Sequence, residues 1–298
     1  MPPAADPDLQ PEVLHDTVLG WYADHARDLA WRRPGASAWG VVVSEFMLQQ
    51  TPVARVLPVW ETWMERWPTP ADLAAEPSGE AVRAWGRLGY PRRALRLHAA
   101  ATAVVEEHGG AVPSSYAELI ALPGVGDYTA AAVASFAFGQ RHVVLDTNVR
   151  RVHARVLGGV EFPAAAPTRA ERDRAAALLP DDEAEAATWA VAVMELGALV
   201  CTARAPACER CPVADLCRWR AAGYPAYDGP PRKVQDYAGT DRQCRGRLLA
   251  VLRDSEGPVH RSRLDAAWHL DDQRERCLAS LLADGLVVAT GPATYALP

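Results

Sequence analysis

Apolar residues recur at helical spacing along most of the first 140 residues. The periodicity predicts helices over residues 13–25, 41–50, 53–67, 80–88, 95–107 and 116–122. Proline and glycine gather between these segments, at residues 33–35, 67–70, 109–110 and 122–124, where they end helices and favour turns. The pattern therefore predicts a mostly α fold of short helices joined by short loops.

The second half of the chain follows a less regular pattern. Residues 169–187 alternate charge with alanine, which predicts a solvent-facing helix with a loop at residues 180–182. Residues 229–239 have the composition of a linker. Beyond it, helical segments at 243–253, 261–268 and 273–284 precede two short β-like runs around a Gly-Pro turn at 291–292. This order fits a small winged-helix module, although any small α+β domain shows the same pattern.

Composition places the chain among ordinary globular proteins. Its 298 residues are 49% hydrophobic, which is enough for two domains and an appendage. The start resembles no secretory signal and no apolar run is long enough for a membrane span, so we expect a cytoplasmic protein, nucleoid-associated if bacterial. A net charge of −6 argues against a polyanion partner when taken alone. Arginines cluster at residues 92–96 and 150–155, either as a locally basic DNA face or as solvated helix faces.

A glycine-rich turn, LPGVG at residues 122–126, lies between two helical segments. Gly124 and Gly126, with Val125 between them, permit a tight hairpin. The backbone N–H groups at the start of the next helix would then face an anion such as a DNA phosphate. An ordinary hairpin between two helices carries the same turn, so this motif alone leaves both interpretations open.

Four cysteines lie close together, at Cys201, Cys208, Cys211 and Cys217. In a reducing compartment such a cluster indicates metal binding more than disulfides. Thiolates bind both zinc and iron–sulfur clusters, and the spacing alone does not choose between them.

This cysteine spacing, roughly 80 residues after an LPGVG hairpin, resembles the cluster loop of the endonuclease III and MutY superfamily of DNA glycosylases. Two further stretches, SEFMLQQT at 44–51 and LDTNVRRV at 145–152, are similar to motifs of the MutY family of adenine glycosylases. The resemblance covers about residues 8–225. It implies a bilobed helix-hairpin-helix fold and a [4Fe–4S] cluster held by the four cysteines.

The resemblance also assigns roles to two carboxylates. It implies that Glu45 protonates the flipped adenine and later helps to activate water. Asp146 would stabilise the positive charge on the deoxyribose, or form a covalent intermediate with it, and Asn148 would orient the site. Such a pairing suits the chemistry, since cleaving a glycosidic bond needs one carboxyl as an acid and another as an anion. Without the resemblance, Glu45 fits either a buried carboxyl whose pKa is raised or an exposed helix face, and Asp146 fits a helix N-cap.

Tyr128 bears on whether the DNA strand is also cut. Glycosylases that nick DNA use a lysine amine to form a Schiff base, and in endonuclease III that lysine lies two residues after LPGVG. Here the position holds Tyr128, and the only lysine of the chain, Lys233, lies in the expected linker. We therefore expect a monofunctional hydrolase, with Tyr128 hydrogen-bonding near the acid or the sugar.

The same resemblance implies how damage is recognised. Leu48, Gln50 and Thr51 match family positions that contact the base opposite adenine, normally 8-oxoguanine, and Tyr90 matches a tyrosine that wedges into the base stack. Two departures from the family stand out. Residues 89–91 read Gly-Tyr-Pro where Gly-Tyr-Tyr is usual, and residues 240–298 are too few for the usual Nudix-like domain that checks for 8-oxoguanine.

These features predict a domain organisation and a partner. We expect a cluster domain from residues 1–29 plus 141–228, a helical domain with the hairpin at 30–140, a linker at 229–239 and a small domain at 240–298. The cleft between the two lobes would hold the flipped base, with Asp146 near the junction. The expected partner is double-stranded DNA with adenine opposite 8-oxoguanine or guanine, bound by a monomer without membrane association.

Two other functions fit the same sequence features as an adenine glycosylase. One is a mismatch thymine or uracil glycosylase of the same superfamily. The other is a non-catalytic DNA-binding redox sensor that uses the cluster. For the C-terminal region we consider either a DNA-backbone or partner contact or a small packing domain with solvated arginines, and the arginines concerned are Arg242, Arg245, Arg247, Arg261 and Arg263.

Overall fold

The computed structural model describes residues 11–230 and 237–298, which form two compact units. Within the described residues, the first unit is drawn from Met1–Val41, Ser114–Ile120 and Val125–Pro230. The second is drawn from Val42–Pro113, Ala121–Gly124 and Pro231–Pro298. The expected linker at 229–239 falls partly, and Lys233 wholly, outside the described residues.

The described chain is mainly helical, as the periodicity predicts. Its helices are α1 (Pro11–His25), α2 (Ala38–Leu48), α3 (Val53–Arg66), α4 (Pro70–Ala74), α5 (Ser78–Trp85), α6 (Arg92–His108), α7 (Tyr116–Leu119), α8 (Asp127–Phe138), α9 (Thr147–Val156), α10 (Arg169–Ala177), α11 (Glu183–Leu199), α12 (Arg218–Ala221), α13 (Asp241–Arg253), α14 (Arg261–Asp265) and α15 (Asp271–Ala283). Its strands are β1 (Val259–His260), β2 (Val288–Gly291) and β3 (Thr294–Ala296). None of the described helices combines the length and apolar character that a membrane span requires.

The first unit is built around the packing of α1, α9 and α11. Val149, Val152 and Val156 lie on one face of α9 and belong to a buried cluster with residues of the other two helices. A buried ion pair adds to this core, since Glu195 of α11 is fully buried and accepts hydrogen bonds from Arg27 and Arg32. Burial alone would raise the pKa of Glu195, but these two arginines hold it below its usual value.

A tryptophan cluster forms the core of the helical part of the second unit. Trp63 lies edge-to-face with Trp67 and Trp85, at ring-centroid distances of 4.8 and 5.6 Å. All three rings are buried. Because aromatic rings bury large areas and prefer such edge-to-face geometry, they anchor α3 and α5 to one another.

The C-terminal residues form a winged-helix module. Its elements follow the order α13, β1, α14, α15, β2, β3, and the antiparallel sheet has the strand order β1-β3-β2. A turn at residues 292–293 joins β2 to β3 as the wing. The core consists of side chains such as Leu248, Leu252, Leu264 and Leu281, which are all buried. This element order and this strand order are those of a winged helix, which is one of the patterns considered from the sequence.

This module packs closely against α5, which lies in the same compact unit. Arg83 of α5 donates to the main-chain carbonyls of Leu252 and Ser255, at 3.3 and 2.8 Å, and to that of Arg253. The backbone N–H of Gly79 donates to the carbonyl oxygen of Pro298 at 2.6 Å. A guanidinium shared by several carbonyls at a helix end stabilises that end, so α5 and α13 are held together.

Several details differ from the sequence pattern for local reasons. The Pro68–Pro70 stretch predicts only a break, but Thr69 caps a short helix that begins at Pro70, a residue suited to a first helical turn. Helix α7 ends at Leu119 instead of residue 122, and β1 has too few residues to leave a periodic pattern. The compact units also divide the chain differently from the expected domains, since α8 belongs with the first unit and the C-terminal module with the second. The expected domain boundaries stay a prediction.

Replacing Gly79 with alanine is expected to disturb the contact between α5 and the chain's last residues. A Cβ atom at this position would lie 2.2 Å from the Pro298 oxygen and 2.9 Å from the Leu297 Cβ. We expect Gly79→Ala to lower stability by about 1–3 kcal/mol, the usual cost of overpacking. The thermal midpoint and hydrogen exchange at residues 294–298 measure this effect.

Gly20→Ala is the matched control. Gly20 lies in α1, and a Cβ there would meet nothing within 4 Å. It should therefore raise stability by about 1 kcal/mol through helix propensity. Equal midpoints for the two variants would show that the contact at Gly79 is not close.

Candidate active site

Asp146 caps the N-terminus of α9. One carboxylate oxygen, Oδ1, accepts from the backbone N–H groups of Asn148 and Val149 at 2.8 and 2.6 Å. The other, Oδ2, accepts from the Asn148 side-chain amide at 2.7 Å. Burial raises the pKa of Asp146, while these hydrogen bonds and the charge of Arg151 act in the opposite direction. The N-cap interpretation is therefore correct. It does not conflict with the expected catalytic role, since a capping carboxylate has a fixed direction.

Asn148 is itself held by a residue that sequence reasoning did not assign to the site. Arg151 donates to the Asn148 side-chain oxygen and to the carbonyl of Gly197, both at 2.7 Å. Its Nε donates to the carbonyl of Cys201, also at 2.7 Å. A Cβ at Gly197 would lie 2.7 Å from the Asn148 Cβ, so this glycine permits α11 to approach α9. Arg151 thus connects the Asp146 cap to the first cysteine of the cluster loop.

Glu45 lies on α2 in the second unit and is only 5% exposed. Val42, Val43, Phe46 and Met47, which flank it along the helix, are buried as well. The exposed-face interpretation is therefore wrong. Buried carboxyl groups are uncommon in proteins, which makes Glu45 a candidate functional residue.

Helix α2 ends at Leu48, and the next residues form a turn fixed by one buried guanidinium. Arg93 donates to the main-chain carbonyls of Phe46, Met47 and Gln49 at 2.8, 3.1 and 2.5 Å. It also donates to the Thr51 hydroxyl and the Gly89 carbonyl, both at 3.1 Å. Burial lowers the pKa of Arg93 to about 10, so it remains charged at neutral pH.

Four arginines of the clusters at 92–96 and 150–155 lie inside the protein, while Arg92 and Arg96 are exposed. Arg93, Arg150, Arg151 and Arg155 are all buried. Each donates to backbone carbonyls or carboxylates inside the protein. The arginine spacing predicted a DNA face or solvated helix faces, and for these four residues the structure shows internal positions instead.

Two candidate lesion-contacting residues with unusual backbone geometry directly follow carbonyls that Arg93 binds. Gln50 and Tyr90 have positive φ values, 55° and 49°, that non-glycine residues seldom adopt. Both side chains are exposed, whereas Thr51 is buried with its hydroxyl bonded inside the protein. The Arg93 guanidinium lies 5.5 Å from the centre of the Tyr90 ring. The structure therefore brings Gln50, Thr51 and Tyr90 together around one guanidinium.

The LPGVG turn forms a tight and exposed connection between α7 and α8. Gly124 has a φ of 78°, and a Cβ there would lie 2.6 Å from the Arg96 Cβ, so the position requires glycine. Gly126 precedes α8, whose first N–H groups have no helical acceptor. Exposed N–H groups at the start of a 12-residue helix can bind an anion.

Tyr128 lies on the first turn of α8 and packs within the first unit. Its ring contacts a small buried cluster of Ala131, Ala132, Val144 and Ala190. Glu45 belongs to the second unit and Asp146 to the first.

The four cysteines line a single small cavity after α11. Its other walls are mainly apolar, with Val152, Val156, Leu196 and Val213 among them. Burial, and then the neighbouring thiols, raise the pKa of Cys211 to about 11. Arg155 donates to the Cys201 sulfur at 3.4 Å.

The lining of this cavity fits a thiolate-bound cluster, because four cysteines face one apolar space. No group of three or more His, Cys, Asp or Glu side chains in the described part of the chain is arranged to hold one metal ion. An apolar pocket with four sulfurs and a nearby cationic N–H donor fits an anionic thiolate-bound cluster.

Comparisons with known proteins agree with this arrangement. Residues 43–176 match the model of the HhH-GPD superfamily base excision DNA repair protein. Residues 201–217, which run from the first to the last of the four cysteines, match the iron–sulfur binding domain of endonuclease III. The fold is similar to that of a thermostable thymine-DNA glycosylase, with a TM-score of 0.64 and 27% identity over 71% of this chain and 97% of that chain. It also resembles endonuclease III in a trapped covalent complex with DNA, with a TM-score of 0.61 and 25% identity over 72% of this chain and 99% of that one.

Fold and cysteine cavity together define a helix-hairpin-helix protein of base excision repair with a [4Fe–4S] cluster. The chain is 56% identical to the adenine DNA glycosylase of Mycobacterium tuberculosis, over 97% of this chain and 95% of that protein. The chain belongs to the adenine DNA glycosylase family. Because the alignment omits only 3% of the chain, it includes most of the winged-helix module.

Removing the Asn148 amide is expected to shift the pH dependence of adenine release. The Asn148 hydrogen bonds favour the Asp146 anion, so Asn148→Ala should raise an Asp146 pKa that burial has already raised. The anion is then lost at a higher pH as the solution is acidified. We expect the acid limb of the pH–rate profile to move up by on the order of one pH unit.

Thr147→Ala is the control, because Thr147 is exposed and lies in the same helical turn. The profile should be measured under single-turnover conditions for both variants. If the acid limb of Asn148→Ala does not move, the ionisation of Asp146 does not control the rate of adenine release.

Proposed function

We propose that this protein hydrolyses the N-glycosidic bond of adenine in duplex DNA, where adenine lies opposite 8-oxoguanine or guanine. The observation that carries the proposal is the near full-length match to an adenine DNA glycosylase. The likeness to endonuclease III in its DNA complex supports duplex DNA as the partner. Such an enzyme works where the DNA is, so we expect it in the cytoplasm, associated with the nucleoid if the source is bacterial.

Glu45 and Asp146 are proposed as the acid and the anion of this reaction. Glu45 is a buried carboxyl group, and a carboxyl group can deliver a proton to a leaving base. Hydrogen-bond donors reach both oxygens of Asp146 and favour its charged form, against the burial that raises its pKa. Protonation of the base by one and stabilisation of the oxocarbenium-like sugar by the other is the division of labour that glycoside hydrolysis needs. Asn148 then acts as a positioning residue for Asp146.

We propose further that the enzyme does not nick the strand. Schiff-base chemistry requires an amine, and Tyr128 supplies a phenol at the position after the hairpin. The single lysine of the sequence, Lys233, is over 100 residues further along the chain. Packing of the Tyr128 ring against the α8 alanines supports a fixed hydroxyl that hydrogen-bonds near the acid or the sugar.

The DNA and the base opposite adenine are proposed to contact two exposed regions. Gly124, Val125 and Gly126 would bind a backbone phosphate through N–H groups at the start of α8. Leu48, Gln50 and Tyr90 would contact the mispair, with Tyr90 as the wedge that holds the gap of the flipped base. Thr51 would act indirectly, because its hydroxyl is used inside the protein by Arg93.

The cluster is proposed to be held by all four cysteines, Cys201, Cys208, Cys211 and Cys217. When bound, it supplies a fixed, charged anchor for the loop between α11 and α12. Arg155 and Arg151 tie this loop to α9 through the Cys201 sulfur and carbonyl. We therefore assign the cluster a role in holding the Asp146 region in place.

Replacing Glu45 tests the proposed acid directly. Glu45→Gln keeps the size of the side chain and cannot deliver the proton, so we expect adenine release to fall by about 10²–10⁴-fold. Duplex binding should persist, as measured by single-turnover release and by titration of an uncleavable duplex.

Glu61→Gln serves as the control, since Glu61 is exposed on α3. It should leave both quantities unchanged. Undiminished adenine release by Glu45→Gln would refute the assignment of the acid.

A further inference from the structure

An arginine of the winged-helix module lies against the proposed wedge. The guanidinium of Arg242, on the first turn of α13, lies 5.0 Å from the centre of the Tyr90 ring. It lies 5.7 Å from the ring of Tyr237, just before the same helix. All three residues are exposed, with Tyr90 43% and Tyr237 53% accessible. We call this group the Tyr90–Arg242–Tyr237 stack, and it lies within the second compact unit.

The position of Arg242 relative to Tyr90 is fixed by a carboxylate. Asp284, directly after α15, accepts from Arg245 of α13 at 2.5 Å and pairs with Arg92, two residues after Tyr90, at 3.3 Å. The contacts of Arg83 with the end of α13 hold the other end of that helix. The loop that carries Tyr90 and the helix that carries Arg242 are therefore linked on both sides.

Arg242 differs from most of the module's arginines in how its charge is used. Arg245, Arg261, Arg274 and Arg276 pair with carboxylates of the module. Among the described residues, no carboxylate pairs with Arg242, whose contacts are the two tyrosine rings. The set of module arginines considered from the sequence for a DNA contact is therefore smaller, since Arg245 and Arg261 pair with carboxylates of the module.

Tyr90 needs such support because its backbone is strained and its ring is exposed. Its φ of 49° follows a glycine with a φ of 88°. Residues in this region persist only when neighbouring contacts hold them. Arg93, on the first turn of α6, has its guanidinium 5.5 Å from the centre of the ring, and Arg242 is the contact supplied by the module. A guanidinium over a tyrosine ring is a favourable cation–π pair that also carries positive charge toward a phosphate backbone.

We propose that the winged-helix module forms a composite DNA-recognition surface with Tyr90, in which Arg242 is a positioning residue for the wedge. The occupant is duplex DNA that is opened at a mispair, whose unstacked bases meet aromatic and guanidinium faces. In this arrangement the module contributes through the start of α13. Helix α15, which begins with Asp271 and Asp272, has an N-terminus that repels phosphate.

This proposal rests on the proposed function, because it takes Tyr90 to be the wedge. The experiment uses the full-length protein with its cluster. It measures affinity for an uncleavable mispaired duplex and for a matched duplex, and the fluorescence of 2-aminopurine beside the mispair as a report of unstacking. Arg242→Ala should reduce the preference for the mispair by about fivefold and reduce the fluorescence change, with an unchanged thermal midpoint.

Two variants provide the comparison. Arg247→Ala removes the same charge from an exposed position of the same helix. A lost backbone contact there would lower the affinity for both duplexes equally, so the mispair preference should stay intact. Arg242→Lys keeps the charge and should restore the preference only in part, since lysine lacks the planar face that stacks. Equal losses of mispair preference in Arg242→Ala and Arg247→Ala would show that Arg242 contributes only its positive charge, and would overturn the proposal.

A double-mutant cycle with Tyr90→Ala decides whether Arg242 acts through the ring. If it does, Arg242→Ala has little further effect on mispair preference in the Tyr90→Ala protein. Additive effects would contradict the positioning role. A wild-type protein with no mispair preference at all would instead count against the proposed function, so the two failures are distinguishable.

Discussion

The buried guanidinium of Arg93 is the interaction on which the recognition half of the site depends. It joins the C-terminal end of α2, which carries Glu45, to the loop that carries Tyr90, through carbonyls of both segments. An unpaired carbonyl or a displaced charge in this interior would be costly. Separating the end of α2 from the Tyr90 loop would therefore break these hydrogen bonds. One side chain therefore contacts both the helix that carries the proposed acid and the loop that carries the proposed wedge.

A similar arrangement serves the other unit. Asp146 is fixed by Asn148, Asn148 by Arg151, and Arg151 by the carbonyls of Gly197 and Cys201. The proposed anion of the reaction is thus connected by hydrogen bonds to the loop of the iron–sulfur centre. The structural role proposed for the cluster follows from this connection, because Arg151 bonds both the cluster loop and α9.

The sequence singles out Glu45, Asp146 and the four cysteines because each lies in a recognisable stretch of the chain. Glu45 in SEFMLQQT and the cysteines of the cluster loop are recognisable from their neighbours along the chain, and Glu45 is buried as a functional carboxyl would be. The supporting residues leave no such signal. Arg93 stands beside Arg92 as if on a solvated helix face, and the pairing of Gly197 with Asn148 joins positions far apart in sequence. The docking of the winged helix on α5 is likewise set by contacts between distant segments, which periodicity cannot reveal.

The central claim is tested most directly by single-turnover release of base from duplexes that hold adenine opposite 8-oxoguanine, adenine opposite guanine, and thymine or uracil opposite guanine. Each reaction is followed with and without alkali, which converts abasic sites into strand breaks. We predict release of adenine alone, with breaks only after alkali. Release of thymine or uracil would place the protein with the mismatch glycosylases, and release from no duplex would favour a DNA-binding redox sensor. Either result would contradict an adenine glycosylase built on Glu45 and Asp146.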